Sequence, residues 1–180
     1  MAGGIGRTDR HGAATPALYS AEERARRDQT KWTLVQGVLA PLQFLIFLVS
    51  LFLVLRYLTT GEGLALAIWS VVLKTAILYL IMVTGSIWEK VVFGKWLFAR
   101  AFFWEDVFSM LVLALHSAYL VAVFASIGDA QTQMMIALAA YATYVINAAQ
   151  FILKLRRARL QQAAEADALI DSTYGVGATG

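Results

Sequence analysis

Four long apolar runs, separated by polar or glycine-bearing breaks, set the pattern of this chain: residues 32–58, 64–86, about 102–127 and about 132–155. Each exceeds the roughly 20 residues that a helix needs to cross a bilayer. The polar residues inside the runs recur at helical spacing. Gln36, Gln43, Ser50 and Tyr57 lie seven apart and form one stripe of the first run. Lys74 sits near the middle of the second, and Thr143, Asn147 and Gln150 share a face of the fourth. The third opens on Trp104-Glu105-Asp106 and reaches His116 through almost wholly apolar sequence. Glu105 and His116 are eleven positions apart, nearly a whole number of turns, so they share a face, about 16 Å apart in rise. Ser109 lies one turn above Glu105 on that stripe. The pattern predicts an all-α fold, a polytopic integral-membrane four-helix bundle.

The breaks fit that reading. Gly61-Glu62-Gly63 is a tight turn, and Gly128-Asp129 is a short one with Asp129 placed to cap the next helix. Residues 87–103 read as a loop dense in aromatic and basic residues, among them Trp88, Lys90, Lys95, Trp96 and Arg100. Trp88-Glu89-Lys90-Val91 is echoed by Trp104-Glu105-Asp106-Val107, from which no repeat is inferred. Pro41 should kink the first span, because it removes a backbone donor. Ser20-Ala21-Glu22-Glu23 is a capping box that opens a short charged helix ahead of that span. Residues 1–19, which hold His11 and Pro16, read as a disordered tail. Residues 20–159 form the transmembrane domain, and 160–180 a polar tail with a short helix and a glycine-rich end.

Composition narrows the class. Of 180 residues, 59% are hydrophobic and 15% charged, with a mean hydropathy of +0.64, against about half apolar and a quarter charged in a soluble domain. The absence of cysteine excludes disulfides and thiolate metal sites. The first thirty residues are polar, and no cleavable signal peptide is expected. The net charge of +3 comes from basic residues that flank the apolar runs, a topology signal rather than a nucleic-acid surface. Lys/Arg enrichment before the first span, in 87–103 and after residue 155 puts both termini and the aromatic loop in the cytoplasm. Dinucleotide, P-loop and HExxH signatures are missing, and one intramembrane histidine cannot supply bis-histidine haem ligation.

Ionisable groups in lipid are costly, about 2.5–3.5 kcal/mol for a central lysine, and so mark functional sites. If the polar stripes face one another, Gln36, Glu105, Asp106 and Gln150 lie shallow, with Ser109, Asn147 and Gln43 next. His116 and Lys74 lie near the midplane. Together they would line a funnel opening to the cytoplasm beneath the aromatic loop. Each group also has a structural role available to it. Carboxylates favour a helix N-terminus, amides join helices, lysines snorkel, and Trp88, Trp96 and Trp104 suit an interfacial belt.

Several long strings carry a resemblance: Trp32-Thr33-Leu34-Val35-Gln36-Gly37-Val38-Leu39-Ala40-Pro41, Gly85-Ser86-Ile87-Trp88-Glu89-Lys90, Phe102-Phe103-Trp104-Glu105-Asp106, Leu113-Ala114-Leu115-His116, and the stretch from Tyr141 to Phe151. Across residues 18–159 the chain resembles the vinyl bacteriochlorophyllide hydratase family of purple phototrophic bacteria. The resemblance implies hydration of the C3-vinyl group of a chlorophyllide or bacteriochlorophyllide to a 3-(1-hydroxyethyl) group, in the bacterial inner membrane. It also implies other bacteriochlorophyll-pathway enzymes as partners. It carries over no assigned catalytic residues. The residues fit such chemistry in the following way. Glu105, then Asp106, are candidate acids, and His116 is a candidate base or a ligand to the pigment's Mg²⁺. Lys74, Trp88, Glu89, Trp104, Ser109, Asn147, Gln150 and Gln43 are candidate substrate contacts. Lys74 would balance a carboxylate, and Lys90, Lys95 or Arg100 would meet the propionate. Hydration is not a redox step and needs no redox cofactor. The rival readings are a non-catalytic pigment-binding or assembly protein and a small proton or solute carrier.

Overall fold

A computed structural model describes residues 18–175. It is all-α. A short helix α1 (Ala21–Gln29) precedes α2 (Lys31–Thr60), α3 (Leu64–Phe93), α4 (Phe103–Phe124) and α5 (Ala130–Gly175). The last four are long and apolar enough to cross a membrane. Helix α2 packs along α3, and α4 along α5. The two hairpins meet where α2 touches α5 and α3 touches α4. The short turns between α2 and α3 and between α4 and α5 make each pair antiparallel neighbours.

Local chemistry explains the ends. Glu23 N donates to Ser20 Oγ, and Ser20 N donates to the Glu23 carboxylate, so the capping box is formed. Gly61 closes α2 at φ +74° and Gly94 closes α3 at φ +77°, a backbone region where a Cβ is unfavourable. Thr132 N donates to Asp129 Oδ1 at 2.8 Å and caps α5. Pro41 lies inside α2 without ending it.

Three boundaries differ from those read in the sequence. Helix α3 continues through 87–93, which were expected to be loop. Glu89 and Lys90 look like a membrane exit, but charge does not end a helix, and α3 runs on until Gly94 ends it. At 46 residues, α5 spans about 69 Å, more than twice the roughly 30 Å hydrocarbon core. The polar segment after residue 159 is therefore a continuation of the fourth span. Finally, Tyr19, expected in the tail, is buried. Its ring stacks on Phe93 at 5.8 Å and lies 6.4 Å from Phe102. His11 lies outside the described residues.

The bundle is apolar outside and partly polar inside. Leu34, Val38, Phe52, Trp69, Leu73 and Val121 are exposed, as suits lipid-facing positions. Val54, Ala67, Val71, Val112, Met134 and Ala137 form the core. A second cluster of Tyr19, Val92 and Phe102, with Trp88, Phe93 and Phe151 against it, closes the end where α1 joins. Aromatic pairs of this kind each contribute about 0.5–1.5 kcal/mol beyond their burial. Arg26 Nε donates to Val92 O at 2.9 Å and ties α1 to the end of α3.

Candidate functional site

The expected face of α4 does turn inward: Glu105, Asp106, Ser109, Val112 and His116 are all buried. Along it, successive rungs join α4 to its neighbours. At the first turn, Lys154 Nζ donates to Glu105 Oε2 at 2.6 Å, an ion pair to α5. One turn on, Asn147 Nδ2 donates to Ser109 Oγ at 2.9 Å. Deepest, Lys74 Nζ lies 2.7 Å from His116 Nε2. His116 Nδ1 is 2.8 Å from Val112 O. A carbonyl only accepts, so Nδ1 carries the proton and Nε2 accepts from the lysine.

The midplane is closed rather than funnel-shaped. Lys74 and His116 are both 0% exposed. The lysine side chain spans the gap between α3 and α4, and its Nζ sits 4.0 Å from the Tyr144 ring centroid and 5.4 Å from that of Tyr141. Phe47 packs on both tyrosines at 5.3 and 4.9 Å. Tyr141 Oη and Ser50 Oγ are 2.6 Å apart, and Ser50 also meets Ser70 at 2.7 Å. Lys74 therefore meets an imidazole and two aromatic faces, where the sequence suggested a carboxylate.

Open space lies instead at the α1 end of the bundle. A pocket of about 670 Å³ is lined by Leu18 and Glu23 from the N-terminal segment, Phe93 from α3, and Lys154 from α5. The 94–102 loop supplies Lys95, Ala99, Arg100 and Ala101. That volume lies within the roughly 300–1,000 Å³ usual for small-molecule sites. Its wall carries Lys95, Arg100 and Lys154 against the single acid Glu23, and it reaches the Lys154–Glu105 pair through Lys154.

The other sequence candidates fall into three groups. Asp106 and Glu89 are buried and face the loop: Phe98 N donates to Asp106 Oδ2 at 2.7 Å, and Ala99 N to Glu89 Oε2 at 3.1 Å. Gln43 is buried and Gln150 half-buried. Their Oε1 atoms, like Asn147 Oδ1, find no hydrogen-bond partner among the described residues. Such orphaned acceptors call for water or a ligand donor. Trp88 is half-buried and donates to Thr33 Oγ1 at 2.9 Å, whereas Trp104 is 67% exposed on the outer surface, as an interfacial anchor would be.

Sequence reasoning missed Lys154. It sits in the basic stretch that ends the fourth run and reads there as a topology signal. Its spacing from Gln150 and Asn147, at i+4 and i+7, was the available sign that it faces inward. Tyr141 and Tyr144 were also passed over, because an aromatic residue in an apolar run reads as core.

No solved structure matches the chain. A family model described as 2-vinyl bacteriochlorophyllide hydratase matches residues 19–157. A 2-vinyl bacteriochlorophyllide hydratase of Rhodobacter capsulatus is 68% identical over 149 residues, covering 83% of this chain and 86% of that protein. One of Cereibacter sphaeroides is 67% identical over 147 residues, covering 82% and 91%. The matched region takes in α1 to α4 and α5 as far as residue 157, with every rung described above and all of the pocket lining except Leu18. The chain belongs to the 2-vinyl bacteriochlorophyllide hydratase family.

Proposed function

We propose that the protein hydrates the vinyl group of a chlorophyllide or bacteriochlorophyllide, giving the 1-hydroxyethyl group found on the way to bacteriochlorophyll a. The carbon numbered 2 in the family's description and the C3 position are one site in two numbering schemes of the macrocycle. The enzyme is a hydro-lyase and a multi-pass protein of the bacterial inner membrane. The 20–159 segment forms the membrane domain, with both termini and the pocket on the cytoplasmic side. The basic residues around α1, the 94–102 loop and 154–159 support that orientation. The helical extension beyond residue 159 stands clear of the bilayer, where other pathway enzymes could reach it.

One observation supports the chemistry most: Lys154, which is ion-paired to Glu105 behind it, stands in the wall of a pocket lined otherwise by aliphatic and aromatic groups, Lys95, Arg100 and Glu23. Addition of water needs a proton on the terminal vinyl carbon and an oxygen on the inner one. The intermediate cation is conjugated with the macrocycle. The couple delivers the proton from the pocket wall. Water then attacks the inner carbon, and its surplus proton returns to Glu105, so atoms and charge balance. Groups so placed contribute about 10²–10⁴-fold each. Lys95 and Arg100 lie on the same wall, suited to the pigment's propionate. His116 stays outside the reacting groups, since ligation of the pigment's Mg²⁺ would require it to give up Lys74.

The test is to incubate membranes containing the protein with 3-vinyl chlorophyllide and measure product mass. A pigment heavier by one water supports hydration. Tight binding with unchanged mass would favour a pigment carrier.

A further inference from the structure

We infer that Glu89 and Asp106 are positioning residues: a carboxyl clasp that holds the 94–102 loop as the floor of the pigment pocket. The inference rests on the pocket reading above.

Glu89 lies near the C-terminal end of α3 and Asp106 in the first turn of α4, so the two side chains flank the gap that the loop must span. Their carboxyl groups lie close enough to interact. A hydrogen bond between two carboxyls needs one proton held between them, because a carboxylate only accepts. Each also takes a backbone N–H from the loop, at Phe98 and Ala99. Those two donors lie where the chain turns sharply: Phe98 has φ +58°, a left-handed conformation that a bulky side chain adopts only when its surroundings enforce it. Ala99 is 1% exposed and Phe102 N donates to its carbonyl at 2.9 Å.

The loop so held presents Lys95, Ala99, Arg100 and Ala101 to the pocket. Neither Glu89 nor Asp106 lines it. The clasp therefore sets where the two basic side chains stand, and acts on the pigment only through them. Further ties are weaker or peripheral: Ser86 Oγ donates to Trp96 O, and Lys90 Nζ to Gly94 O, both exposed.

The chemistry of the clasp makes it separable from catalysis. An amide has an oxygen that accepts the loop N–H and an NH₂ that replaces the shared proton. Glu89→Gln and Asp106→Asn should therefore keep the loop in place. Glu89→Ala and Asp106→Ala remove a buried charge-assisted bond and should loosen it by about tenfold or more.

The experiment has two readouts on full-length protein in membranes. In the first, limited trypsin digestion follows cleavage after Lys95 and Arg100. Expected are about tenfold faster cleavage in the alanine variants and wild-type rates in the amide variants. In the second, the alanine variants show KM for 3-vinyl chlorophyllide raised about tenfold with kcat held within about threefold, and the amide variants restore KM. Equal trypsin rates in wild-type and alanine variants would overturn the clasp. So would an amide variant that binds pigment normally but loses kcat, since that marks a group in the chemistry. If the alanine variants do not accumulate, the amide variants decide alone. Failure of wild-type membranes to hydrate pigment would remove the pocket reading, while the trypsin comparison would still judge the clasp.

Discussion

Glu105→Gln separates chemistry from folding at the couple. In the structure Glu105 Oε2 accepts from Lys154 Nζ at 2.6 Å, with 11% and 25% of the two side chains exposed. A bond to a charged group contributes about 1.5–3 kcal/mol, and charge assistance supplies roughly half of it. Glutamine keeps an oxygen in the same place, so the variant should lose only about 1 kcal/mol of stability by that reckoning. Turnover should respond very differently. The amide cannot take the proton from attacking water, and loss of one acid–base group lowers kcat by about 10²–10⁴, or roughly 2.7–5.4 kcal/mol of barrier. The assay is steady-state conversion of 3-vinyl chlorophyllide by detergent-extracted protein, with melting and pigment binding measured on the same sample. Small changes in melting and binding with a collapse of kcat are expected. A kcat within tenfold of wild type would remove Glu105 from the reacting groups.

Other perturbations probe the bundle. Lys74→Met removes a midplane charge that costs about 2.5–3.5 kcal/mol to insert and strands His116 Nε2 at a cost of about 1–3 kcal/mol. Melting of the extracted variant should therefore be unchanged or higher, and a loss above about 2 kcal/mol would show the pair to be net stabilising. Tyr141→Phe keeps the packing on Phe47 but loses the bond to Ser50, which retains Ser70. A cost near the low end of about 0.5–1.5 kcal/mol is expected in the same assay, and none at all would discount the bond. Asp129 has its pKa drawn below the carboxylate range by the hydroxyl and then the backbone N–H of Thr132. A depressed folded value means that the cap stabilises above the unfolded value, about 3.9, and that this is lost as pH falls through the folded one. Amide exchange at the start of α5 should quicken on acidification in wild type and much less in Asp129→Asn. Identical pH profiles would contradict the cap.

Apolar length and periodicity made the four spans legible, and the seven-residue stripe correctly turned Gln43 and Ser50 inward. The end of α3 was not legible, because the charges of Glu89 and Lys90 break the apolar run without stopping the helix. Gly94 does that, through its backbone alone. The inward face of α4 could be read from spacing, but its partners could not. Pairing of Glu105 with Lys154, and of His116 with Lys74, depends on helix rotation and on how far a lysine stem reaches, neither of which local sequence encodes. The expected funnel closed for the same reason: Lys74 and the Tyr141 and Tyr144 rings fill the volume that polar spacing alone had left open.

Hydration is tested most directly by supplying membranes with 3-vinyl chlorophyllide in oxygen-labelled water. A hydratase yields pigment carrying one labelled oxygen in a new hydroxyethyl group, and Glu105→Gln membranes do so far more slowly. Recovery of unaltered vinyl pigment from membranes that retain the folded protein would contradict the assignment.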